Sequence, residues 1–416
     1  MRSTLTAFLL PASLLSEGVK AEAWQTKIQA AISSRNPAYP PDSVDKLADA
    51  TLPKVEAWLK KKEADGTNFN CTAENVVVRR EWSDLPIPER EEYIRAVTCH
   101  MTLPSRAPKS RFPGAISRFD DFVAYHMTHA AELHDTIHLF PAHKQFLWVY
   151  EQALRNECGY KGYQPYMNYD RYAEDPIHSP MFNGNSSSMG GNGEFDPQYT
   201  GVPQAGRNPN IIESGGGGGC ITSGPFSDTS PVRHLPGIPP NPKPDGTGYN
   251  PRCLRRDINR NAALGATAAH AFSLITSNDN INGFYNQILG TPPAKNDPYP
   301  WGIHTSGHYI HAVDPGGDPA TSPGDPVFYF HHGAVDRLWW VWQMQDPDRR
   351  INAVPDFSGG GHTGHGRRLL LTKRQRGTMD PTKAVIDLEW LAPSIPLMEA
   401  HESLGGNKGA FCYIYI

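Results

Sequence analysis

The chain is predicted to be mainly α-helical, with a four-helix bundle core holding two metal ions, long ordered loops and few strands. Three observations support this. Apolar residues recur at helical spacing in several segments. Two separated sets of three histidines, His126, His134 and His143, then His304, His308 and His332, lie on or beside those segments. Glycine and proline are abundant, at 38 residues each, which implies much loop between the helices.

In order along the chain, residues 5–15 form a short apolar stretch after Arg2. It is too short to span a bilayer and has the size of a signal-peptide core. Residues 1–23 are therefore read as a signal peptide, cleaved between Glu17 and Ala23, and residues 24–416 as a single domain. Helices are expected from Asp42 to Lys62, from Pro88 to Met101, from Ser117 to Leu133 and from Ala142 to Glu157. Residues 183–250 are rich in Gly, Pro, Ser and Asn and contain five consecutive glycines, Gly215 to Gly219. A functional rim and a disordered linker both fit such a stretch. Helical pattern resumes from Asn259 to Gly290, and Asp325-Pro326 opens a last strong helix reaching Met344, with Asp as N-cap and Pro at the first helical position.

The net charge of −4 gives no reason to expect nucleic acid as a partner, and no membrane association is expected. Six cysteines without a Cys-x-x-Cys pair fit disulfides in an oxidising compartment, with 15 connectivities open. Asn70 and Asn185 begin glycosylation sequons. Together these point to secretion. Oligomeric state is not legible.

His304 and His308 are four apart, so on a helix both rings project from one face and can bind one ion. His332 lies further on, with Asp336 one turn later, where a carboxylate could accept a ligand histidine's second N–H. His331 projects about 100° away from His332, so only one of the two should bind the same ion. A proton-accepting role and plain packing are both open to His331, with packing preferred. His126 and His143 fall on the apolar stripes of two helices, with His134 between them; His129 and His138 are alternatives within that cluster. His178, His234, His362, His365 and His401 read as surface residues. Three neutral imidazoles suit copper, zinc or iron.

The run Asp325-Pro-Val-Phe-Tyr-Phe-His-His-Gly-Ala-Val-Asp336 matches the pattern D-P-x-F-x-x-x-H-x-x-x-D. On this run, the helix around His143, the Ile303-His-Thr-Ser-Gly-His308 stretch and Tyr413-Ile-Tyr415, the chain resembles the tyrosinase and catechol oxidase family of two-copper proteins, in particular its short secreted fungal members. The resemblance implies two copper ions held by His126, His134, His143, His304, His308 and His332, with O2 as co-substrate and a small phenol as substrate. It also implies oxidation of o-diphenols to o-quinones, with O2 reduced to water. Thr305 stands where many tyrosinases carry Asn, and Leu289 where Glu or Gln is usual, which speaks against hydroxylation of monophenols. Pro319, beside Ala320, aligns with a bulky Phe that covers one copper in plant catechol oxidases, so an open site is expected. His138 replaces the usual Asn and Ala142 the usual Trp, and no cysteine precedes His134 by two residues. A C-terminal shielding domain is not expected after Tyr413-Ile-Tyr415. The alternatives are a tyrosinase with monophenol hydroxylation, an o-aminophenol oxidase, a haemocyanin-like O2 carrier and a two-zinc hydrolase.

Overall fold

A computed structural model describes residues 12–134, 136–204, 206–227, 241–293, 295–357 and 379–416, with the side chains of 12–22 left aside. Residues 1–11, which hold most of the apolar stretch read as a signal-peptide core, lie outside the described residues, as do His234, His362 and His365.

Twelve helices are described: α1 Ala12–Ser33, α2 Ser43–Ala64, α3 Ile87–Thr102, α4 Arg118–Leu133, α5 Leu139–Cys158, α6 Tyr169–Tyr172, α7 Arg260–Ala263, α8 Ala268–Thr276, α9 Ile281–Ile288, α10 Ile303–Tyr309, α11 Val327–Gln345 and α12 Pro347–Arg350. Helices α2 and α4 begin where cap chemistry dictates. Asp42 accepts the N–H groups of Val44 and Asp45, while Asp45 reaches back to the Asp42 N–H. Ser117 and Asp120 form the same reciprocal box at the start of α4. Gly159, with φ 69°, closes α5 in the left-handed conformation that glycine adopts without strain.

Two expected segments take a more detailed form. The helical pattern of 259–290 is realised as α7, a 3-10 turn, α8 and α9, divided at Thr267, where the backbone is extended, and at Asn280, whose side chain accepts the Gly283 N–H. At α11, Pro326 rather than Asp325 occupies the N-cap position, although the Asp325 carboxylate still takes the Val327 N–H at 2.9 Å. The same carboxylate is paired at 2.7 Å with fully buried Arg256, which ties the glycine-rich region to α11.

That region is ordered where described. It contains the short antiparallel pairs Gly193–Phe195 with Gly218–Ile221 and Gly201–Pro203 with Ile211–Glu213. Within the five-glycine run, the N–H groups of Gly215 and Gly217 both donate to the buried Asp257 carboxylate. A Cβ on Gly217 would stand 2.5 Å from Asn192 Oδ1, so the close approach requires glycine. Cys220–Cys253 closes this region, Cys99–Cys158 joins α3 to α5, and Cys71–Cys412 joins the two ends of the domain. Beside the last bridge, Val77–Arg79 pairs in parallel with Tyr413–Tyr415.

One apolar cluster runs from Trp24 to Ile416 and includes the buried indoles of Trp82, Trp301, Trp339, Trp340 and Trp342. Helix α11 lies at its centre, packed on α2, α5, α8 and α10, and α5 packs in turn on α3 and α4. Among the described residues, no helix is long and apolar enough to cross a membrane.

Candidate metal centre

The histidines arrive on four helices. His126 lies on the buried face of α4, and His134 is the residue that ends that helix. His143 sits in the first turns of α5, His304 and His308 on α10, and His332 on α11. In the first trio the ring centroids are 5.3 Å (His126–His134), 5.7 Å (His126–His143) and 5.1 Å (His134–His143) apart. In the second they are 4.8 Å (His304–His308), 5.4 Å (His304–His332) and 5.4 Å (His308–His332) apart. The trios abut: His143 and His332 stack at 4.2 Å, and His134 lies 6.0 Å from His304. The candidate ligand atoms of His126, His134 and His143 lie within 4.8 Å of one another, and so do those of His304, His308, His332 and the neighbouring His331.

Backbone carbonyls orient the first trio. Nδ1 of His126 donates to the Ala320 carbonyl at 2.8 Å, that of His134 to Ala130 at 2.8 Å, and that of His143 to Leu139 at 2.6 Å. A carbonyl only accepts, so Nδ1 carries the proton and Nε2 keeps its lone pair for a metal. Nε2 of His126, His143 and His304 and both ring nitrogens of His332 are buried with no hydrogen-bond partner. An unsatisfied buried polar atom costs about 1–3 kcal/mol. Convergent imidazoles that present such nitrogens fit a pair of copper ions, which bind nitrogen donors well.

Electrostatics holds the rings neutral. Burial lowers the pKa of His126 and His143 well below 6.5, and proximity to His134 lowers both further. The same applies to His304 with His308 beside it, to His308 with His311, and to His332 with His143. Neutral imidazole is the metal-binding form.

The remaining candidates fall as follows. His129 stacks on Tyr125 at 4.3 Å and pairs with Glu389, and His138 Nε2 meets the Val385 carbonyl at 3.2 Å; neither joins the first trio. His331 is closer to the centre than its helical angle suggests, 4.3 Å from His308 and 4.7 Å from His332. Its Nδ1 is 2.6 Å from the Tyr169 hydroxyl, and Nε2 is buried without a partner. Asp336 corrects an expectation. It faces no ligand histidine but accepts the Tyr413 and Tyr415 hydroxyls at 2.8 and 2.6 Å and pairs with Lys144 at 2.6 Å. His401 corrects another: it is 1% exposed, with Nδ1 3.1 Å from the Ile351 carbonyl, whereas His178 lies at the surface. Thr305 is half-buried beside His304 on α10, Leu289 half-buried at the end of α9, Ala320 half-buried and Pro319 exposed. Asn70 and Asn185 are exposed.

Sequence reasoning missed the Ala320 carbonyl, Tyr169 and Gly307. Gly307 had a readable signal, a lone glycine between two helical histidines. A Cβ there would stand 2.1 Å from His331 Nδ1.

Comparison with known proteins agrees with this geometry. Residues 116–345 match the family model described as the common central domain of tyrosinase. The chain is 41% identical to the tyrosinase-like protein orsC of Emericella nidulans, over 72% of this chain and 82% of that protein. It is 36% identical to tyrosinase P of Aspergillus terreus, over 81% and 91%. The solved structure of a mutant polyphenol oxidase from Thermothelomyces thermophila superposes with a TM-score of 0.78 at 34% identity, covering 91% of this chain and 99% of that one. With the two histidine trios in place, these similarities show that the chain belongs to the tyrosinase family of two-copper oxidoreductases.

Proposed function

We propose that the protein oxidises small o-diphenols to o-quinones, with O2 as the co-substrate reduced to water. The observation that carries this reading is a centre without a free carboxylate. Among the described residues, both metal-ligating clusters consist of histidine alone. Asp336, the carboxylate one turn from His332, is engaged by Tyr413, Tyr415 and Lys144. Hydroxylating a monophenol requires an acceptor for the phenolic proton. The two positions that the family resemblance links to that task hold an aliphatic and a hydroxyl side chain, Leu289 and Thr305.

His126, His134 and His143 would hold one copper, and His304, His308 and His332 the other. When bound, the copper pair supplies O2 binding and accepts electrons from the diphenol. The chain's own contribution is positioning. Carbonyl-held imidazoles keep fixed tautomers, and burial keeps them unprotonated. Phe328, 4.3 Å from His332 and 5.4 Å from His126, gives the centre an apolar wall that excludes water. Pro319 and Ala320 have side chains too small to cover a metal, which favours an oxidase over an O2 carrier. Secretion is part of the same reading, supported by three disulfides and two exposed sequon asparagines.

The test is oxygen uptake by copper-loaded protein given a simple catechol and its matching monophenol in parallel. Uptake with the catechol alone supports the proposal. Uptake with both makes the protein a tyrosinase and removes the significance of Leu289 and Thr305.

A further inference from the structure

The first trio contains an asymmetry. His134 and His143 each donate Nδ1–H to a carbonyl four residues earlier, so their own local turns orient them. His126 instead donates to Ala320, on the loop that leads from the second trio's helix α10 to α11. The orientation of one first-site ligand therefore depends on a distant loop.

That loop is built around one carboxylate oxygen. Asp318 Oδ1 accepts the N–H of Ala320 at 2.9 Å, the N–H of Thr321 at 2.8 Å and the hydroxyl of Thr321 at 3.0 Å. The Asp318 carbonyl also accepts the Ser322 N–H at 3.0 Å. The Thr321 N–H and the Ala320 carbonyl are opposite ends of one peptide group. That group is planar, and in its trans form the two bonds point in opposite directions. An acceptor that fixes the N–H end therefore fixes where the carbonyl end points.

We propose that Asp318 is a positioning residue for the first copper site, holding the Ala320–Thr321 peptide plane so that its carbonyl aims His126 at the metal. This rests on the reading of His126 as a copper ligand. The carboxylate of Asp318 and the imidazole of His126 grip the two ends of a single peptide plane, and the loop after the second trio thereby sets a ligand of the first. Removing a hydrogen-bond partner of a metal-bound histidine lowers metal affinity about ten- to a hundredfold. Asparagine makes the same turn, because its side-chain carbonyl reaches the N–H two residues on. Glutamate keeps the charge but is one methylene too long for it.

The experiment measures copper per chain and the EPR spectrum of the oxidised protein for wild type, Asp318→Asn, Asp318→Glu, Asp318→Ala, His126→Ala and His308→Ala. A lone Cu(II) gives an EPR signal, whereas a spin-coupled pair is silent. Asp318→Glu and Asp318→Ala are expected to hold the first copper about ten- to a hundredfold more weakly. The copper that remains should give the spectrum of His126→Ala. Asp318→Asn should keep both ions. If Asp318→Ala does not fold, the Asn and Glu variants carry the comparison. Wild-type affinity in Asp318→Glu overturns the proposal, as does equal loss in Asp318→Asn, joint loss of both coppers, or a remaining signal like that of His308→Ala. The copper reading is tested separately by wild type and His126→Ala, whatever the Asp318 variants do.

Discussion

The imidazoles of His143 and His332 lie face to face, with centroids 4.2 Å apart and planes within 5°. One belongs to each trio, so this stack sets the two metal sites side by side. Two charged imidazoliums would repel in that position. Both rings are buried and hold pKa values well below 6.5, His332 through burial and then His143, and His143 through burial and then His134 and His126. The stack is therefore a contact between neutral rings.

Alanine at His143 or His332 removes one ligand and one face of this stack. Copper content should fall in each of these variants, and in alanine variants of the other four proposed ligands. His138→Ala, whose ring meets the Val385 carbonyl, should retain both ions. Metal analysis of purified protein checks this; loss of copper from His138→Ala with full loading of His134→Ala would reassign the first site.

The metal-free protein should lose stability on acidification. His126, His143, His304, His308 and His332 have folded-state pKa values well below 6.5, from burial first and neighbouring imidazoles second. The unfolded chain therefore takes up protons near pH 6.5 that the folded chain refuses. Their contribution is fully present above that pH and declines as pH falls below it. Urea unfolding of metal-free protein at pH 8, 6.5 and 5 should show a falling midpoint, and a flat profile would contradict these shifts.

Asp336 governs a different part of the stability. Burial alone would raise its pKa, but Lys144 and then Arg79 outweigh burial and hold it below 3.8. This contribution is present above pH 3.8 and is lost as pH falls through the folded value. Asp336→Ala leaves Lys144 and Arg79 buried without that carboxylate and should cost about 3–5 kcal/mol. It also takes away the acceptor of the Tyr413 and Tyr415 hydroxyls. Chemical denaturation at pH 7 measures the loss.

Gly307→Ala should destabilise by about 1–3 kcal/mol through overpacking, because the new Cβ meets the His331 ring, itself 2.6 Å from Tyr169. Thermal melting reads the shift. An unchanged melting temperature would mean that the ring moves freely.

That the histidines gather in two groups was legible because helix spacing and the Asp325–Asp336 run are local patterns. Spacing also placed Asp336 on the face of His332, but its partners Tyr413 and Tyr415 come from the far end of the chain. Nothing in periodicity encodes such a pairing. His401 was misread for the same reason: a lone histidine outside a helix carries no burial signal, and only the fold sets it against Trp339. Strands of two to four residues in a glycine-rich stretch are too short to show alternation. The division of 259–290 was readable in principle, since Asn280 is a capping residue type. The Ala320 carbonyl was not, because a backbone acceptor leaves no trace in side-chain identity.

Anomalous diffraction at the copper edge, from crystals of copper-loaded protein, tests the central claim most directly. The account predicts two peaks, one within bonding distance of His126, His134 and His143 and the other of His304, His308 and His332, with His331 bound to neither. A single peak, or a second copper held by His331 in place of His332, would contradict it.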